Sequence, residues 1–307
     1  MVYRWKAEKS SRSNLRRLAR SQLRAAIEEL IDPFSDRADA VHDARLRLKK
    51  LRSLVRLVRK AAPQQFAHEN TAMRDAARAL SLQRDRQALI EALDKLLGHA
   101  EREWNESGDH LRALRNLRNR FVEAQQHESN GADRSQLIEQ VADDLRSATG
   151  RLKAWTSQAH DRVVVAGFAD SYRRGRLALR AVLADATAEN LHEWRKQIKY
   201  HRYQVRLFQE AWPAMLEAHC EELRRLSDYL GDDHDLVLLK QALRDSHADE
   251  LGEQTLHDLV ELIERRRSEL KADAIPLGQL LFAEKPKHVT RRFMQYWCAY
   301  RDRCAAQ

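Results

Sequence analysis

Charged residues in this chain occupy helix positions that a soluble helix normally gives to core hydrophobes. His42, Arg45, Lys49, Arg52 and Arg56 stand at offsets 0, 3, 7, 10 and 14. Because residues three and four apart stack on one face of an α-helix, these side chains form a row of about 21 Å. We call this row the first basic stripe. A separate face carries apolar residues suited to a core, namely Ala44, Leu48, Leu51, Val55 and Val58.

The same pattern recurs 150 residues further along the chain. A second basic stripe consists of His192, Arg195, Lys199, Arg202 and Arg206. Its core face carries Trp194, Ile198, Val205 and Phe208. His201 falls on that core face too, and we predict a hydrogen-bonded packing residue there rather than a ligand.

Helical periodicity extends over nearly the whole chain and predicts an all-α protein. With only 9 Gly and 5 Pro, turns are few. The run of apolar, β-branched residues at 163–165 is too short to indicate a β-strand. A loop is expected over 275–286, and a helix N-terminus at Gly231-Asp232-Asp233-His234, whose carboxylates would accept backbone N–H groups. The predicted helices cover 12–31, 38–61, 64–81, 84–103, 108–127, 133–158, 161–186, 188–211, 213–230, 234–247, 249–273 and 287–304.

The offset of 150 residues holds beyond the stripes, which indicates an internal duplication. The matched pairs include Arg74 with Arg224, Leu80 with Leu230, Asp85 with Asp235 and Leu89 with Leu239. We therefore predict two pseudo-symmetric antiparallel helical bundles, 1–158 and 159–307. No Gly/Ser/Pro-rich linker separates them near 155–165, so they should form a single body.

The bulk composition narrows the partner class. The chain has 55 basic and 46 acidic residues, a net charge of +9, which favours anionic partners. No stretch approaches the roughly 20 apolar residues of a membrane span, and the amino terminus lacks a signal-peptide core. Three cysteines without metal spacing, Cys220, Cys298 and Cys304, indicate reduced thiols and a cytoplasmic protein. We expect no cofactor, and the sequence leaves open a monomer or a homodimer.

The stripes lack the acids that normally alternate with bases on a solvated helix face. Residues 44–60 contain eight Lys or Arg and residues 194–209 contain five, with no acid in either segment. Like charges one turn apart destabilise a helix by about 0.2–0.5 kcal/mol per pair, so an anion that relieves the repulsion is expected. A straight row rich in Arg suits the phosphates of an extended polyanion. Recognition of nucleic-acid bases would require Asn, Gln or aromatic side chains between the basic ones, and the first stripe has none. The remaining candidate ligands are inorganic polyphosphate and a nucleic-acid backbone.

The sequence resembles the conserved-histidine α-helical domain, or CHAD, family. The resemblance rests on Val41-His42-Asp43-Ala44-Arg45 and Leu191-His192-Glu193-Trp194-Arg195, each followed by Lys and Arg. It also rests on an element ending in Asp after each stripe, Leu80-Ser81-Leu82-Gln83-Arg84-Asp85 and Leu230-Gly231-Asp232-Asp233-His234-Asp235. The resemblance implies two helical bundles around a basic central groove or pore that binds inorganic polyphosphate, with association to polyphosphate granules. The ten stripe residues would line it.

Further candidate residues accompany the stripes. Additional lining is expected from Arg16, Arg20, Arg24, Arg74, Tyr203, Arg173, Arg224 and Arg291. Asp85 and Asp235 are expected to orient stripe arginines from behind. A metal site is not expected, because adjacent cations repel a metal ion. Ser81 replaces the glycine of the second copy, and Lys50 corresponds to Tyr200, so the halves are expected to contribute unequally.

No catalytic set is visible, and we predict a binding protein rather than an enzyme. There is no phosphate-binding G-x-x-x-x-G-K-[ST] loop. Relatives of this kind are often fused to a triphosphatase domain with an E-x-E-x-K motif. The only E-x-E here is Glu101-Arg102-Glu103, followed by Trp104-Asn105. A nucleic-acid backbone binder and an adaptor for an enzyme of phosphate metabolism remain as alternatives.

Overall fold

A computed structural model describes residues 3–32, 34, 36–80, 85–103, 108–127, 131–246 and 252–306. Within these ranges the chain forms eleven α-helices and one 3₁₀ turn, and the prediction of an all-α protein is confirmed. None of the described helices is long and apolar enough to cross a membrane. The helices are α1 Ser11–Ile31, α2 Arg37–Arg56, α3 Pro63–Ala79, α4 Asp85–Glu103, α5 Asp109–His127, α6 Gly131–Thr156, α7 Asp161–Ala184, α8 Ala188–Leu207, α9 Pro213–Ser246, α10 Glu253–Leu281 and α11 Pro286–Ala305.

Several helix starts follow from local sequence. The Ser10 hydroxyl caps α1 by accepting from the Ser13 backbone N–H, and Thr187 caps α8 in the same way. A proline begins α3 and another begins α9. Proline is tolerated at this position because a backbone N–H in the first turn would have no hydrogen-bond acceptor within the helix. Three pairs of helices begin at nearly the same offset as the two stripes. These pairs are α1 and α7 at 11 and 161, α2 and α8 at 37 and 188, and α3 and α9 at 63 and 213.

The predicted break at Gly231 is wrong, because α9 is continuous from Pro213 to Ser246. Glycine disfavours a helix by about 1 kcal/mol, but tertiary contacts decide here. Asp233 is buried and its Oδ1 accepts from Arg267 Nε at 2.9 Å. A Cβ on Gly231 would lie 3.0 Å from a guanidinium nitrogen of Arg195, so the glycine makes room for a stripe residue.

The predicted loop over 275–286 is also wrong for most of its length. The helix α10 continues to Leu281 with Pro276 inside it, and only 282–285 connect it to α11. A proline normally breaks a helix, but Gly278, two residues later, packs closely against the Trp194 ring. A Cβ at this glycine would lie 2.2 Å from a ring carbon. This close approach holds the helix in place after the proline.

The stripe helices end earlier than predicted. The helix α2 ends at Arg56 instead of residue 61, and turns follow in which Leu57 and Val58 donate to Leu54 and Val55. The helix α8 ends at Leu207, and a 3₁₀ turn over Gln209–Ala211 follows. Tighter hydrogen bonds of this type are common at helix ends.

Two hydrophobic cores hold the helices together, and each takes residues from both halves of the chain. The larger core joins α1, α2, α3 and α6 to α7, α8, α11 and the adjoining parts of α9 and α10. The smaller core joins α4 and α5 to the second part of α9 and to α10. Packing therefore crosses residue 158, and the division into two repeats there stays a prediction.

The two stripe helices contact each other directly. Ser53 Oγ on α2 donates to the Tyr200 carbonyl on α8 at 2.9 Å, and Gln204 Nε2 donates back to the Ser53 carbonyl at 3.0 Å. All three residues are buried. These bonds satisfy polar groups inside the protein and so fix how α2 and α8 pack.

Close packing at Gly167 generates a stability prediction. A Cβ there would lie 2.2 Å from the Leu57 carbonyl oxygen, so Gly167→Ala should lower the free energy of unfolding by about 1–3 kcal/mol. Gly150 lies exposed in α6 with open space around it, so Gly150→Ala should raise that free energy by about 0.5–1 kcal/mol. Urea denaturation of both variants measures the two changes. Equal stability of the two variants would contradict the packing described.

Candidate functional site

The two basic stripes meet where α2 lies against α8. Lys49 and Lys199 are near enough to repel each other electrostatically, and so are Lys50 and Arg206. The buried hydrogen bond from Ser53 to the Tyr200 carbonyl holds the same two helices together. The structure therefore brings cations of the two stripes together instead of placing them on opposite sides of the protein.

The end of the first stripe is rigidly held. Arg52 Nε and Arg56 Nη1 both donate to Asn70 Oδ1 on α3, at 3.2 and 2.8 Å. The Arg56 guanidinium also lies 3.5 Å from the centre of the Tyr200 ring. Burial lowers the pKa of Arg56 to about 10, so the group stays charged at neutral pH. The other members of the stripe are the exposed His42 and the partly buried Arg45 and Lys49.

Arg195 of the second stripe lies against a row of carboxylates on α9. Burial lowers its pKa, while Asp235, Asp232 and Asp228 act in the opposite direction. These acids are spaced three and four residues apart, so the unbroken helix presents them on one face. Arg195 Nε is buried and has no hydrogen-bond partner among the described residues. The acids attract the guanidinium through space, but they leave hydrogen-bonding capacity for another group.

Lys199 is the most perturbed cation of the site. Its pKa is lowered to about 6, first by burial and then by three neighbouring cations, Arg195, Lys49 and Arg202. Asp235 opposes this shift only in part. At neutral pH the amine is therefore mostly neutral, because burial and the three cations together outweigh the attraction of Asp235.

The histidine of the second stripe is stacked on a second imidazole. The rings of His192 and His234 have centroids 4.2 Å apart. Burial and nearby cations lower the pKa of His192, and they lower that of His234 to about 4. His192 Nδ1 is buried and has no hydrogen-bond partner in the part of the chain that the structure describes. Both rings are therefore neutral at pH 7.

The end of the second stripe is held less firmly than that of the first. Arg202 lies 5.1 Å from the centre of the Tyr203 ring, and Arg206 is exposed. The residue 150 positions after Asn70 is Cys220, whose pKa burial raises to about 11. A neutral thiol is a much weaker hydrogen-bond acceptor than an amide oxygen. The two stripes thus differ in how firmly their last arginines are held.

The further lining residues are dispersed over the surface. Arg173 donates to Asp170, Arg74 to Asp75, and Arg224 to Glu221 and Asp228. Arg291 is exposed on α11, whereas Tyr203 is buried beneath Arg202 and beside Tyr3. An open cavity of about 600 Å³ runs along α1, and its lining includes Arg16, Arg20 and Arg24.

The predictions for aspartate and histidine have different outcomes. Asp235 faces Arg195 and Lys199 from α9. The Asp85 side chain and residues 81–84 lie outside the described residues. His201 is buried, with its Nδ1 2.8 Å from Ser171 Oγ, as expected for a packing residue. Among the described residues, no group of three or more His, Cys, Asp or Glu is arranged to hold a metal ion.

Sequence reasoning missed several residues that shape the site. Asp228 was not identified, and Asp232 and His234 were assigned to a helix N-terminus, because a helix break was expected at Gly231. In a continuous helix, the spacing of these residues places them near Asp235, and this spacing is the signal that identifies them. Asn70 gave no local signal, because it reaches the first stripe from another helix.

Burial of Lys199 predicts a stabilising substitution. An unfolded lysine has a pKa near 10.4, so the unfolded chain binds more protons between about pH 6 and 10, and the protein loses stability as pH falls through that range. Lys199→Met should therefore raise the free energy of unfolding, by more at pH 6.5 than at pH 9. Chemical denaturation at both pH values measures this. Lys196→Met, which removes a partly exposed lysine paired with Glu193, is the control. A destabilised Lys199→Met protein at pH 6.5 would contradict the description of this site.

Comparison with known proteins gives a family and a fold. A family model described as the CHAD domain matches residues 15–244. The crystal structure of the CHAD domain from the plant Ricinus communis superposes with a TM-score of 0.56, covering 91% of this chain and 94% of that chain at 16% identity. No curated protein matches the sequence. The matched segment contains both basic stripes and most of the helices that hold them, and the chain belongs to the CHAD domain family.

Proposed function

We propose that this protein binds inorganic polyphosphate, without catalysis, in a basic groove formed by the two stripes. The observation that carries the proposal is the meeting of Lys49 and Lys199 on neighbouring helices. Two converging rows of cations repel each other, and because the carboxylates of α9 offset this repulsion only in part, an anion between the rows would be stabilising. An extended polyanion would contact both rows at once.

The cost of assembling this site in the absence of an anion is seen at Lys199. Its amine gives up most of its charge at neutral pH because burial and three cations disfavour the proton. Such a cost is expected of a binding site, because structure that serves function is often locally unfavourable. A bound chain of phosphates would reverse the electrostatic balance and restore the charge.

Paired contacts support a shared site related by approximate two-fold symmetry. Lys50 interacts with Arg206, and Arg56 stacks on Tyr200. Positions 50 and 200 correspond at the offset of 150 residues, and so do positions 56 and 206. The two contacts are therefore equivalent under the repeat. The Ser11 hydroxyl donates to Asp161, its counterpart at the same offset, at 2.6 Å. An internal duplication would account for these pairs, and they support the proposal of a groove formed by both copies.

The placement of the aromatic residues favours polyphosphate over nucleic acid. Tyr200 and Tyr203 are 5% and 3% exposed, and guanidinium groups lie over both rings. Single-stranded nucleic acids are usually held by exposed aromatic faces on which bases stack. Here the rings support arginines, which suits a ligand that consists of phosphate alone.

The carboxylates at the site serve to position cations. Asp228, Asp232 and Asp235 lie on α9 next to Arg195, where they offset its burial. We propose that they orient the second stripe and take no part in phosphoryl transfer. The protein would act in the cytoplasm and associate with polyphosphate granules.

Charge reversal in both stripes tests the proposal. The double variant Arg52→Glu with Arg202→Glu should weaken binding of long-chain polyphosphate by at least about 100-fold at 50 mM salt, because each substitution turns attraction into repulsion. Isothermal titration calorimetry measures the affinity, and thermal unfolding checks that the fold remains. Arg112→Glu with Arg146→Glu makes the same charge change at exposed, acid-paired positions and should bind nearly as tightly as the unmodified protein. Unchanged affinity in the stripe variant would disprove the shared groove.

Competition separates polyphosphate from the second candidate, a nucleic-acid backbone. Long-chain polyphosphate should displace labelled single-stranded or duplex DNA at low concentration, whereas DNA should displace labelled polyphosphate poorly. The physical reason is that the groove offers cations without exposed stacking surfaces. Fluorescence anisotropy at fixed salt measures both directions. Equal displacement in the two directions, compared per phosphate, would favour a general polyanion binder.

A further inference from the structure

Four cations beyond the end of the first stripe form a compact cluster around one buried acid. The cluster consists of Arg59 and Lys60, in the turn after α2, and Arg173 and Arg174 on α7. Resting on the proposed function, we propose that this cluster is an additional subsite, which binds the phosphates of a long polyphosphate chain where it leaves the groove. We call it the exit cluster.

The buried carboxylate of Asp170 organises the exit cluster. Asp170 Oδ1 accepts from Arg173 Nη2 at 2.6 Å, and Oδ2 accepts from Arg174 Nε at 2.8 Å. Lys60 Nζ lies 3.7 Å from Oδ1. Because one carboxylate is shared by several cations, the cluster keeps a net positive charge. The acid fixes the directions of the guanidinium groups without neutralising them.

The cluster remains open to a ligand. The side chains of Lys60, Arg173 and Arg174 are 65%, 44% and 34% exposed, whereas that of Asp170 is only 6% exposed. The anchoring acid is thus inside, and the cations project outward. A phosphate group can approach these side chains without first displacing the carboxylate.

Electrostatic contacts make the exit cluster continuous with the first stripe. Arg59 interacts with Arg173 and Arg174, and Arg56 of the stripe interacts with Arg59 and Arg174. Arg56 and Arg59 also lie over the same Phe66 ring, at 5.6 and 4.9 Å from its centre. A chain of phosphates that follows the stripe to Arg56 therefore reaches the next cations without crossing a neutral gap.

The turn that follows the second stripe lacks cations at the positions that match Arg59 and Lys60. The residues 150 positions after Arg59 and Lys60 are Gln209 and Glu210. Glu210 is paired with Arg4, so this turn presents an acid where the turn after α2 presents Arg59 and Lys60. This difference makes the groove asymmetric, and a long chain would extend from it on the side of α7.

Removal of charge from the exit cluster, measured with two ligand lengths, tests the subsite. The variant Arg59→Gln/Lys60→Gln/Arg173→Gln retains Arg174 as the partner of Asp170. Its affinity for long-chain polyphosphate should fall about tenfold at 0.1 M salt. The slope of the logarithm of the binding constant against the logarithm of the salt concentration should become shallower by about 2. Its affinity for tripolyphosphate, which is short enough to stay between the stripes, should change less than about twofold. The control Arg112→Gln/Arg146→Gln/Arg225→Gln removes three exposed, acid-paired arginines.

The outcomes distinguish this inference from the proposed function. Selective loss of long-chain affinity supports the exit cluster. A long-chain affinity equal to that of the control, or an equal loss for both ligands, overturns it while leaving the groove intact. If the unmodified protein binds no polyphosphate, or if the stripe variant binds normally, the proposed function itself fails. Should the triple variant unfold, the pair Arg59→Gln/Lys60→Gln, which leaves both Asp170–arginine bonds in place, gives the same comparison against Arg112→Gln/Arg146→Gln.

Discussion

Repulsion between like charges at the α2–α8 contact is the constraint on which the rest of the structure depends. Lys49 and Arg195 both lie within electrostatic range of Lys199, which is largely buried. The carboxylates of α9 offset this repulsion only in part, so other interactions must keep the helices together. The buried bonds between Ser53, Tyr200 and Gln204 supply the contact, and apolar faces on both helices supply most of the energy.

The surrounding helices support each row of cations by different means. On the first stripe, Asn70 and the Tyr200 ring fix Arg52 and Arg56 by hydrogen bonding and stacking. On the second stripe, carboxylates of α9 attract Arg195, and Gly231 leaves space for its guanidinium. Arginine suits both arrangements because it remains charged when buried, whereas a lysine in the same place loses its proton. Lys199 shows this contrast directly.

Sequence reasoning predicted what depends on local periodicity and failed where distant contacts decide. Both stripes lie on helices, because their spacing and the apolar face beside them admit little else. The predicted breaks at Gly231 and around Pro276 were wrong, since Asp233, Arg195 and Trp194 make contacts there that outweigh weak local preferences. The meeting of Lys49 with Lys199 could only be suspected from the repeat, because no sequence pattern gives the angle at which two helices pack. The same holds for the contacts of Asn70 and for the exit cluster, which bring together residues from separate parts of the chain.

The charge state of Lys199 links the proposed ligand to the proton. With a pKa of about 6, the amine is mostly neutral at pH 7 when no anion is present. A bound polyphosphate would raise that pKa, because a nearby negative charge favours the protonated form. Binding must then take up a proton, and by linkage the affinity must rise as pH falls from about 8 toward 6, levelling off once the unbound lysine is itself protonated. His192 and His234 stand beside the same cations with lowered pKa values, so they would add to this uptake in the same direction. The buried, repulsive arrangement of the stripes thus has a consequence that an exposed basic surface would lack, which is sensitivity of polyanion binding to pH near neutrality.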